Sequence, residues 1–379
     1  MKINRMQGIT VPLTKTLLAL GCGVLFVALS AVEARAAAIA PGDVVIYRVG
    51  DGSGPLSTTA AAVFLDEYTV SGTLVQSLAL PTSGGSAFSA VGNASTEGII
   101  SRSQDGSTFV FTGYRKATGG TSPAGDTYVT TPRVSGTLSI PGVINTTTTL
   151  ANDNGATTAN TIRSAASVDG TTAFWVSTSS RVSYNSTPFT SGGTTQIDAR
   201  NSRQVNISGN TLYAANGSTT IAAKVQSYGT LPTGATAGSA VATLALTDAV
   251  NGFALFDLDS GVAGDDTLYA LSTVEGLLRK YTFNGSSWSA SGSISTTAVN
   301  LAGSVDPAGV NLYLTTSGSL LGVLDASGYG NNITGTIRTI ATASANTAFR
   351  GIGVVPEPSV VCLGFRTWAG LFLGRFRRQ

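Results

Sequence analysis

Short apolar segments alternate with glycine-containing turns along most of the chain. Examples are STFVFTGY at 107–114, TTAFWVS at 171–177 and DTLYALS at 266–272. Runs of this length that are rich in aliphatic, threonine and aromatic residues and bounded by turn residues are typical of β-strands. We find no helical periodicity of any length between residues 37 and 355. The pattern therefore predicts an all-β body.

The predicted strands repeat as a unit marked by an apolar-aromatic pair. Six such pairs occur, at Ile46-Tyr47, Val110-Phe111, Phe174-Trp175, Leu212-Tyr213, Leu268-Tyr269 and Leu312-Tyr313. A turn that contains glycine precedes five of them, and an apolar strand lies upstream of each turn, at 98–103, 161–168, 203–208, 252–258 and 298–305. Two more apolar segments follow each pair. The unit is therefore interpreted as a four-stranded antiparallel meander.

The spacing of the meanders indicates the architecture. Successive aromatic positions lie 38 to 64 residues apart, and four short strands in such a period are typical of a β-propeller. We predict six four-stranded antiparallel blades, with a seventh if the long stretch 112–160 contains one. The alternative is a parallel β-helix or solenoid, which needs shorter and more regular repeats. Neither a WD dipeptide nor a kelch-type double glycine recurs to identify a blade family.

The phase of the repeat predicts how the ring closes. Other units begin with an inner strand, whereas the body begins directly at an aromatic strand, GDVVIYRVG at 42–50. The missing inner strand is found at the other end, as AFRGIGVV at 348–355. We therefore predict that 348–355 pairs antiparallel with 44–50, so that both termini complete one blade and no sheet edge stays open.

The first 36 residues have the pattern of a secretory signal peptide. Lys2, Arg5 and Lys15 precede an apolar run at 17–32, and the small-residue motif Ala34-Arg35-Ala36 follows it. A basic region, an apolar core and a small-residue cleavage site in this order predict export. The alternative is an N-terminal membrane anchor. The propeller domain is then predicted to occupy 37–355.

The composition of the body excludes several kinds of site. No Cys, Met or His occurs between 37 and 355, so disulfides, His- or Cys-based nucleophiles and His- or Cys-ligated zinc, copper or haem are excluded there. The body has 14 Lys and Arg against 18 Asp and Glu, a net charge of −4, which argues against nucleic acid as a partner. The basic pairs Arg115-Lys116 and Arg279-Lys280 are expected to be solvated.

The C-terminal segment contains a recognisable motif. Pro356-Glu357-Pro358 precedes an apolar stretch at 359–374, and Arg375, Arg377 and Arg378 follow it. The segment 356–379 resembles the PEP-CTERM sorting signal of exported bacterial proteins. Arginines after an apolar run also favour a cytoplasmic position for that end.

The resemblance implies a destination and a partner. In that family an exosortase is expected to cut near the triplet, and the protein reaches the cell envelope surface or the extracellular matrix. Arg366 interrupts the apolar stretch, where a cation costs about 2.5–3.5 kcal/mol, and sixteen residues are fewer than the roughly 20 that span a bilayer. The expected membrane association is therefore transient.

One acidic segment is a candidate metal site. FDLDSGVAGDD contains Asp257, Asp259, Asp265 and Asp266. Aspartates at alternate positions before a glycine resemble the start of an oxygen-rich calcium loop, and calcium is the one cofactor that the sequence suggests. The alternative is that these aspartates cap the turns between two strands.

Candidate catalytic and sugar-binding residues are few. The acids available to a glycoside hydrolase are Asp66, Glu67, Glu97 and Glu275, of which Asp66 and Glu67 are adjacent in a strand and point to opposite faces. The aromatic residues that could form a sugar-stacking platform are Trp175, Trp288, Tyr281 and Phe283. Their alternative role is to fill the space between blades.

These observations predict an exported propeller that is not an enzyme and has a structural, adhesive or polysaccharide-binding role. The expected partners are polysaccharide or other surface proteins. The alternative is a secreted carbohydrate-active hydrolase or lyase that uses paired carboxylates. Two carboxylates that converge within about 10 Å in a pocket favour the enzyme, whereas a channel mouth lined by Ser, Thr and Asn favours binding.

Overall fold

The computed structural model describes residues 36–152 and 159–357, with only the backbone at 151 and 152. The predicted signal peptide, apart from Ala36, and the sorting-signal residues Pro358, Arg375, Arg377 and Arg378 lie outside these residues. The described part contains 27 strands and one three-residue 3-10 helix, Pro123–Gly125. None of its helices has the length and apolar character needed to cross a membrane.

Six antiparallel sheets form the blades of a β-propeller, each ordered from the channel outward. Blade 1 contains β27 (Ala348–Val354), β1 (Val44–Val49), β3 (Val63–Tyr68) and β4 (Leu74–Ala79). Blade 2 contains β6 (Ser101–Arg102), β7 (Thr108–Tyr114), β8 (Arg133–Ser139) and β9 (Ile144–Asn152). Blade 3 contains β10 (Ile162–Ala166), β11 (Phe174–Thr178), β12 (Val182–Asn185) and β14 (Thr195–Asp198).

The remaining blades have the same order. Blade 4 contains β15 (Ser202–Ser208), β16 (Thr211–Asn216), β17 (Ala223–Thr230) and β18 (Ser239–Thr243). Blade 5 contains β19 (Val250–Phe256), β20 (Thr267–Ser272), β21 (Leu277–Phe283) and β22 (Trp288–Ser295). Blade 6 contains β23 (Asn300–Asp306), β24 (Gly309–Thr315), β25 (Ser319–Asp325) and β26 (Arg338–Thr342). Outside the four-stranded pattern, β13 (Ser191–Gly193) pairs in parallel with β9, and β2 (Ala60–Ala61) pairs with β5 (Ala90–Val91).

The prediction of a six-bladed propeller is confirmed. The six apolar-aromatic pairs lie on the second strands of the six blades, β1, β7, β11, β16, β20 and β24. The stretch 112–160 contributes β8 and β9 to blade 2, and its described residues form no seventh blade. The solenoid alternative is thereby excluded.

The predicted closure of the ring is also confirmed. Strand β27 pairs antiparallel with β1, in a register that joins Val44 to Val354 and Val49 to Ala348. A register irregularity occurs between Ile46 and Arg48. Both termini therefore supply strands to blade 1, and β1 has a hydrogen-bonded neighbour on each side.

The core lies between the blades. Six clusters of buried side chains each join two neighbouring blades, so every blade packs against the next one around the ring. In the cluster between blades 1 and 2, for example, the rings of Tyr47 and Phe111 meet edge to face with centroids 6.4 Å apart. The recurring aromatic residue on each second strand thus fills inter-blade space, since sheets that radiate from a channel need large side chains between them.

The first strand of each blade lines the channel and is here called the inner strand. The inner strands begin at one end of the channel, here called the upper end, and finish at the opposite, lower end. The hydroxyl of Ser101 on β6 donates to the carbonyl of Val205 on β15 at 2.6 Å. These strands belong to blades 2 and 4, which are not neighbours. The channel is therefore narrow where they meet, and open clefts lie at its ends and between the blades.

Candidate functional site

An open groove of about 670 Å³ lies between blades 4 and 5 at the lower end, and is here called the blade 4–5 groove. Its lining combines aromatic rings, hydroxyl groups and one carboxylate, contributed by Tyr213, Ser227, Asp265, Phe283, Ser286 and Trp288 among others. A concave surface with apolar faces and a few polar groups is the usual form of a ligand site.

Two of the aromatic residues are held by a strand hairpin. Phe283 ends β21 and Trp288 begins β22, and the register of these strands places the two residues opposite each other. Their ring centroids are 5.3 Å apart with an interplanar angle of 34°. Both side chains are only partly buried, so this hairpin presents an aromatic surface to the groove.

Tyr213 and Asp265 contribute polar groups to the same groove. Tyr213 lies on β16, and Asp265 lies in the loop between β19 and β20. Burial raises the pKa of Asp265, and the nearby charges of Asp257 and Asp266 raise it further, against a hydrogen bond with Ser208 that lowers it. Burial and the charge of Asp265 also raise the pKa of Tyr213. The carboxyl group therefore holds its proton more firmly than an exposed aspartate does.

The four aspartates of the predicted calcium segment have separate roles. Asp266 is buried and accepts the backbone N–H groups of Leu258 at 3.1 Å and Asp259 at 2.6 Å. Asp259 accepts the N–H of Gly261 at 3.0 Å, and Asp257 is exposed. Within the described residues, no group of three or more acidic, His or Cys side chains is placed to hold a metal ion. Asp259 and Asp266 thus cap turns, and Asp265 lines the blade 4–5 groove.

The candidate catalytic acids occupy different places in the fold. Asp66 pairs with Arg48 at 2.5 Å, and Glu67 accepts the N–H of Ala40 at 2.8 Å. Glu275 pairs with Arg279 near the surface. Glu97 is buried at the upper end of the channel and accepts the hydroxyl of Tyr114 at 2.7 Å. Each acid has its own hydrogen-bonding partners, and none lines the blade 4–5 groove.

The predicted aromatic platform is divided by the fold. Trp175 and Tyr281 are buried between blades, where Trp175 donates its indole N–H to the carbonyl of Pro232 at 2.7 Å. Only Phe283 and Trp288 reach the groove. Sequence reasoning did not place Tyr213 there. Tyr213 is half-buried, whereas the aromatic residues at the equivalent positions of the other blades are buried. This difference depends on the neighbouring blade and cannot be read from the sequence.

No family model and no curated protein matches the chain. Among solved structures, it is similar to one in a nidogen/laminin complex, with 11% identity and a TM-score of 0.47 over 83% of this chain and 100% of that one. It is also similar to the periplasmic gluconolactonase of Pseudomonas aeruginosa, with 10% identity and a TM-score of 0.40 over 79% of this chain and 100% of that one. A third is the dihydro-heme d1 dehydrogenase NirN, with 9% identity and a TM-score of 0.42 over 79% of this chain and 63% of that one.

The prediction that the protein is not an enzyme is wrong. A gluconolactonase and a dehydrogenase are among the structures similar to it. At 9–11% identity these likenesses concern the fold and assign no reaction to any residue of this chain.

Proposed function

We propose that this chain is an exported β-propeller that binds polysaccharide in the blade 4–5 groove. The observation that carries the proposal is the half-exposed pair of Phe283 and Trp288 beside hydroxyl groups and Asp265. The C–H faces of sugar rings stack on aromatic rings, while hydroxyl and carboxylate groups bond to the sugar hydroxyls at the ring edge. Asp265 is the one charged residue among the described lining residues and favours neutral chains over acidic ones in this groove.

The upper mouth of the channel is consistent with a binding role. A cleft there is lined by six Asn, Ser and Thr side chains together with apolar residues such as Leu56 and Phe349, and a channel mouth with such polar groups favours binding. Hydroxyl and amide groups both donate and accept hydrogen bonds, as sugar hydroxyls do. The lining of both clefts thus suits a hydroxyl-rich ligand.

Export is part of the proposal and rests on the sequence. The signal-peptide pattern of 1–36 and the PEP-CTERM-like segment 356–379 both support delivery to the cell envelope or the extracellular matrix, with an exosortase as the sorting partner. In a host that has an exosortase, intact mass spectrometry should find that the exported protein ends near Pro358. Surface-exposed protein that retains Arg377 and Arg378 contradicts this part.

The binding experiment screens the purified chain on an array of neutral and acidic oligosaccharides. We expect the ligand found there to bind Trp288→Ala about 3- to 10-fold more weakly, because one aromatic contact contributes roughly 0.5–1.5 kcal/mol. Phe189→Ala is the matched control, since Phe189 is an exposed aromatic residue on blade 3 outside the groove. Equal affinity of Trp288→Ala and the unchanged chain, with equal melting temperatures, refutes the groove as the site.

Asp265 favours a second candidate function, hydrolysis or lysis of the bound glycan. A carboxyl group with a raised pKa in a ligand groove is suited to protonate a leaving oxygen. The bound oligosaccharides are therefore assayed for new reducing ends. Loss of product with Asp265→Asn at unchanged affinity supports catalysis, whereas absence of product from the unchanged chain leaves binding alone.

A further inference from the structure

A second cleft of about 810 Å³ opens at the upper end of the channel, between blades 6 and 1, and is here called the upper cleft. Small polar side chains from several loops line it, among them Asn93, Ser95, Thr297, Thr316, Ser317 and Thr347. Arg350, the third residue of inner strand β27, belongs to the same lining and is the one charged residue in it. Leu56, Val299 and Phe349 add apolar surface, so the upper cleft combines hydroxyl and amide groups with apolar side chains and a single guanidinium group.

Arg350 is incompletely paired although it is almost fully buried. Its side chain is 2% exposed, and Nη2 donates to the carbonyls of Val91 and Gly92, the latter at 2.9 Å. Nε and Nη1 have no hydrogen-bond partner in the described part of the chain. Buried donors are nearly always paired, because an unmade hydrogen bond costs the full desolvation of the group. Arg350 thus has two buried N–H donors without a hydrogen-bond partner in the described structure, next to the upper cleft.

The nearest carboxylate does not satisfy these donors. Oε2 of Glu97 lies 3.7 Å from Nη1, beyond hydrogen-bond distance. Glu97 already accepts the hydroxyl of Tyr114 at 2.7 Å and the N–H of Val91 at 3.1 Å. Its attraction to Arg350 is electrostatic, so Nε and Nη1 of Arg350 have no hydrogen-bonded anion among the described residues.

The surroundings of Glu97 carry more positive than negative charge. Arg163 interacts electrostatically with Glu97 and with Arg203, and burial together with the charge of Arg203 lowers the pKa of Arg163 to about 9. Nε of Arg163 and Nε of Arg203 also lack hydrogen-bond partners within the described residues. Two guanidinium groups, those of Arg350 and Arg163, thus interact with the one carboxylate of Glu97, an imbalance that an anionic ligand reduces.

The buried amide of Asn300, the residue after the lining residue Val299, lacks partners in the described structure as well. Asn300 begins β23 and is 2% exposed, and neither atom of its side-chain amide has a partner among the described residues. It pairs across the strands with Thr315, whose hydroxyl donates to the carbonyl of Arg350. An amide can accept from one sugar hydroxyl and donate to another.

We propose that the upper cleft binds a sugar that carries an anionic oxygen group, with Arg350 as the residue that recognises the anion. A uronic acid carboxylate is the expected group, and a sugar phosphate has the same recognition chemistry. The lining hydroxyls and amides bond to the sugar hydroxyls. This site lies at the end of the channel opposite the blade 4–5 groove and does not depend on the function proposed for that groove.

The test measures binding of glucuronate, glucose 6-phosphate and glucose to the full chain by titration calorimetry. We expect glucuronate to bind at least tenfold more tightly than glucose, and Arg350→Lys to remove at least tenfold of that affinity. Stronger binding of glucose 6-phosphate than of glucuronate assigns the phosphate as the anion and supports the same site. Equal affinity for glucose and both anions overturns the proposal.

A second variant keeps the test decisive if Arg350→Lys is unstable. Ser317 is exposed on the rim of the upper cleft, so Ser317→Trp should obstruct the cavity without a change in the core and abolish binding. Ser186→Trp, at an exposed position on blade 3, and Arg102→Lys, at the lower end of the channel, are the controls. Anion binding that survives Ser317→Trp, or that is lost equally in the controls, also overturns the proposal.

Discussion

Two buried ion pairs of this propeller differ in how completely their hydrogen bonds are satisfied. Lys280 on β21 and Asp325 on β25 join blades 5 and 6, with 2.9 Å between Nζ and Oδ2 and no exposure of either side chain. Nζ also donates to Ser327 Oγ at 2.9 Å and to the carbonyl of Gly328 at 2.6 Å, which uses all three of its donors. Arg350 and Glu97 are 3.7 Å apart, and two nitrogens of Arg350 lack partners within the described residues.

The difference separates a structural pair from a binding one. Asp325 also accepts the hydroxyl of Tyr269 at 2.6 Å and the N–H of Thr334 at 3.1 Å, so the network between blades 5 and 6 is closed. A closed network stabilises one arrangement of the blades but has no capacity left for a ligand. The pair at the upper cleft retains that capacity. Burial of a charge is therefore a poor indicator of function unless its hydrogen bonds are also counted.

The largest effect is expected when β27, which includes Arg350, is removed. A chain that ends at Ala345 loses the ladder with β1 and the buried side chains of Phe349 and Ile352. At roughly 1 kcal/mol per hydrogen bond and 1.5–3 kcal/mol per side chain, the loss is comparable to the stability of a whole domain. It also exposes the edge of β1. We expect aggregation or a large fall in melting temperature, measured by light scattering and calorimetry.

A chain that ends at Val355 is the control for this truncation. It retains β27 and the hydrogen bond from Gly42 to the carbonyl of Val355 at 2.7 Å. Its melting temperature should match that of the full chain. If the two truncated chains are equally stable, the pairing of β27 with β1 does not hold the ring closed.

The next effect concerns the closed network. Lys280→Met leaves Asp325 and Tyr269 buried without the cation, and breaking such a pair typically costs about 3–5 kcal/mol. The neighbouring Arg279→Met is the matched control, because Arg279 pairs with Glu275 at 25% and 33% exposure and exposed pairs contribute about 0–1 kcal/mol. Urea denaturation should separate the two variants clearly. Similar losses of unfolding free energy in the two variants would show that the buried network stabilises the fold no more than the exposed pair does.

The smallest effect should appear as opposite pH dependences of the two pairs. Hydrogen bonds lower the pKa of Asp325 to about 2 despite its burial, so its contribution to stability is full above the unfolded pKa near 3.8 and is lost as the pH falls towards 2. Burial raises the pKa of Glu97 above the usual 4.5, so its contribution is present at low pH and is lost as the pH rises.

Two variants measure this contrast by urea denaturation between pH 2 and 7. Asp325→Asn should flatten the loss of stability in acid, whereas Glu97→Gln should flatten the loss that accompanies rising pH. The unchanged chain is the reference for both slopes. If Glu97→Gln flattens the fall of stability in acid instead, the carboxyl group of Glu97 is ionised more readily in the folded protein than in the unfolded one.

Sequence patterns predicted the fold because the four strands of a blade are consecutive, or nearly so, in the chain. Turn glycines and alternating apolar residues specify four consecutive strands, and the six aromatic pairs then gave the number of blades. The predicted solvation of Arg279-Lys280 was half wrong: Arg279 is at the surface, but Lys280 is completely buried. Adjacent strand residues face opposite sides, and the sequence does not say which side the next blade covers.

The candidate sites could be predicted only in part for the same reason. Asp265, Phe283 and Trp288 were candidates from their chemistry, but the sequence grouped Asp265 with a metal site and the aromatics with Trp175 and Tyr281. Tyr213 lines the groove together with Phe283 and Trp288 of blade 5, an arrangement that forms only when the two blades pack. Arg350 was not a candidate at all, since it lies within an ordinary apolar strand pattern.

The sequence by itself determined the strands, the six repeats and the need for the termini to share a blade. These features depend on residues that are close in the chain and on the alternation of side chains between the two faces of a strand. Only the tertiary structure decided which charges are paired and which clefts stay open. Lys280 meets Asp325 across 45 residues, and Arg350 meets the carbonyl of Val91 across 259. Contacts at such separations exist only after the blades pack around the ring, and there the satisfaction of buried polar groups separates structural pairs from binding ones.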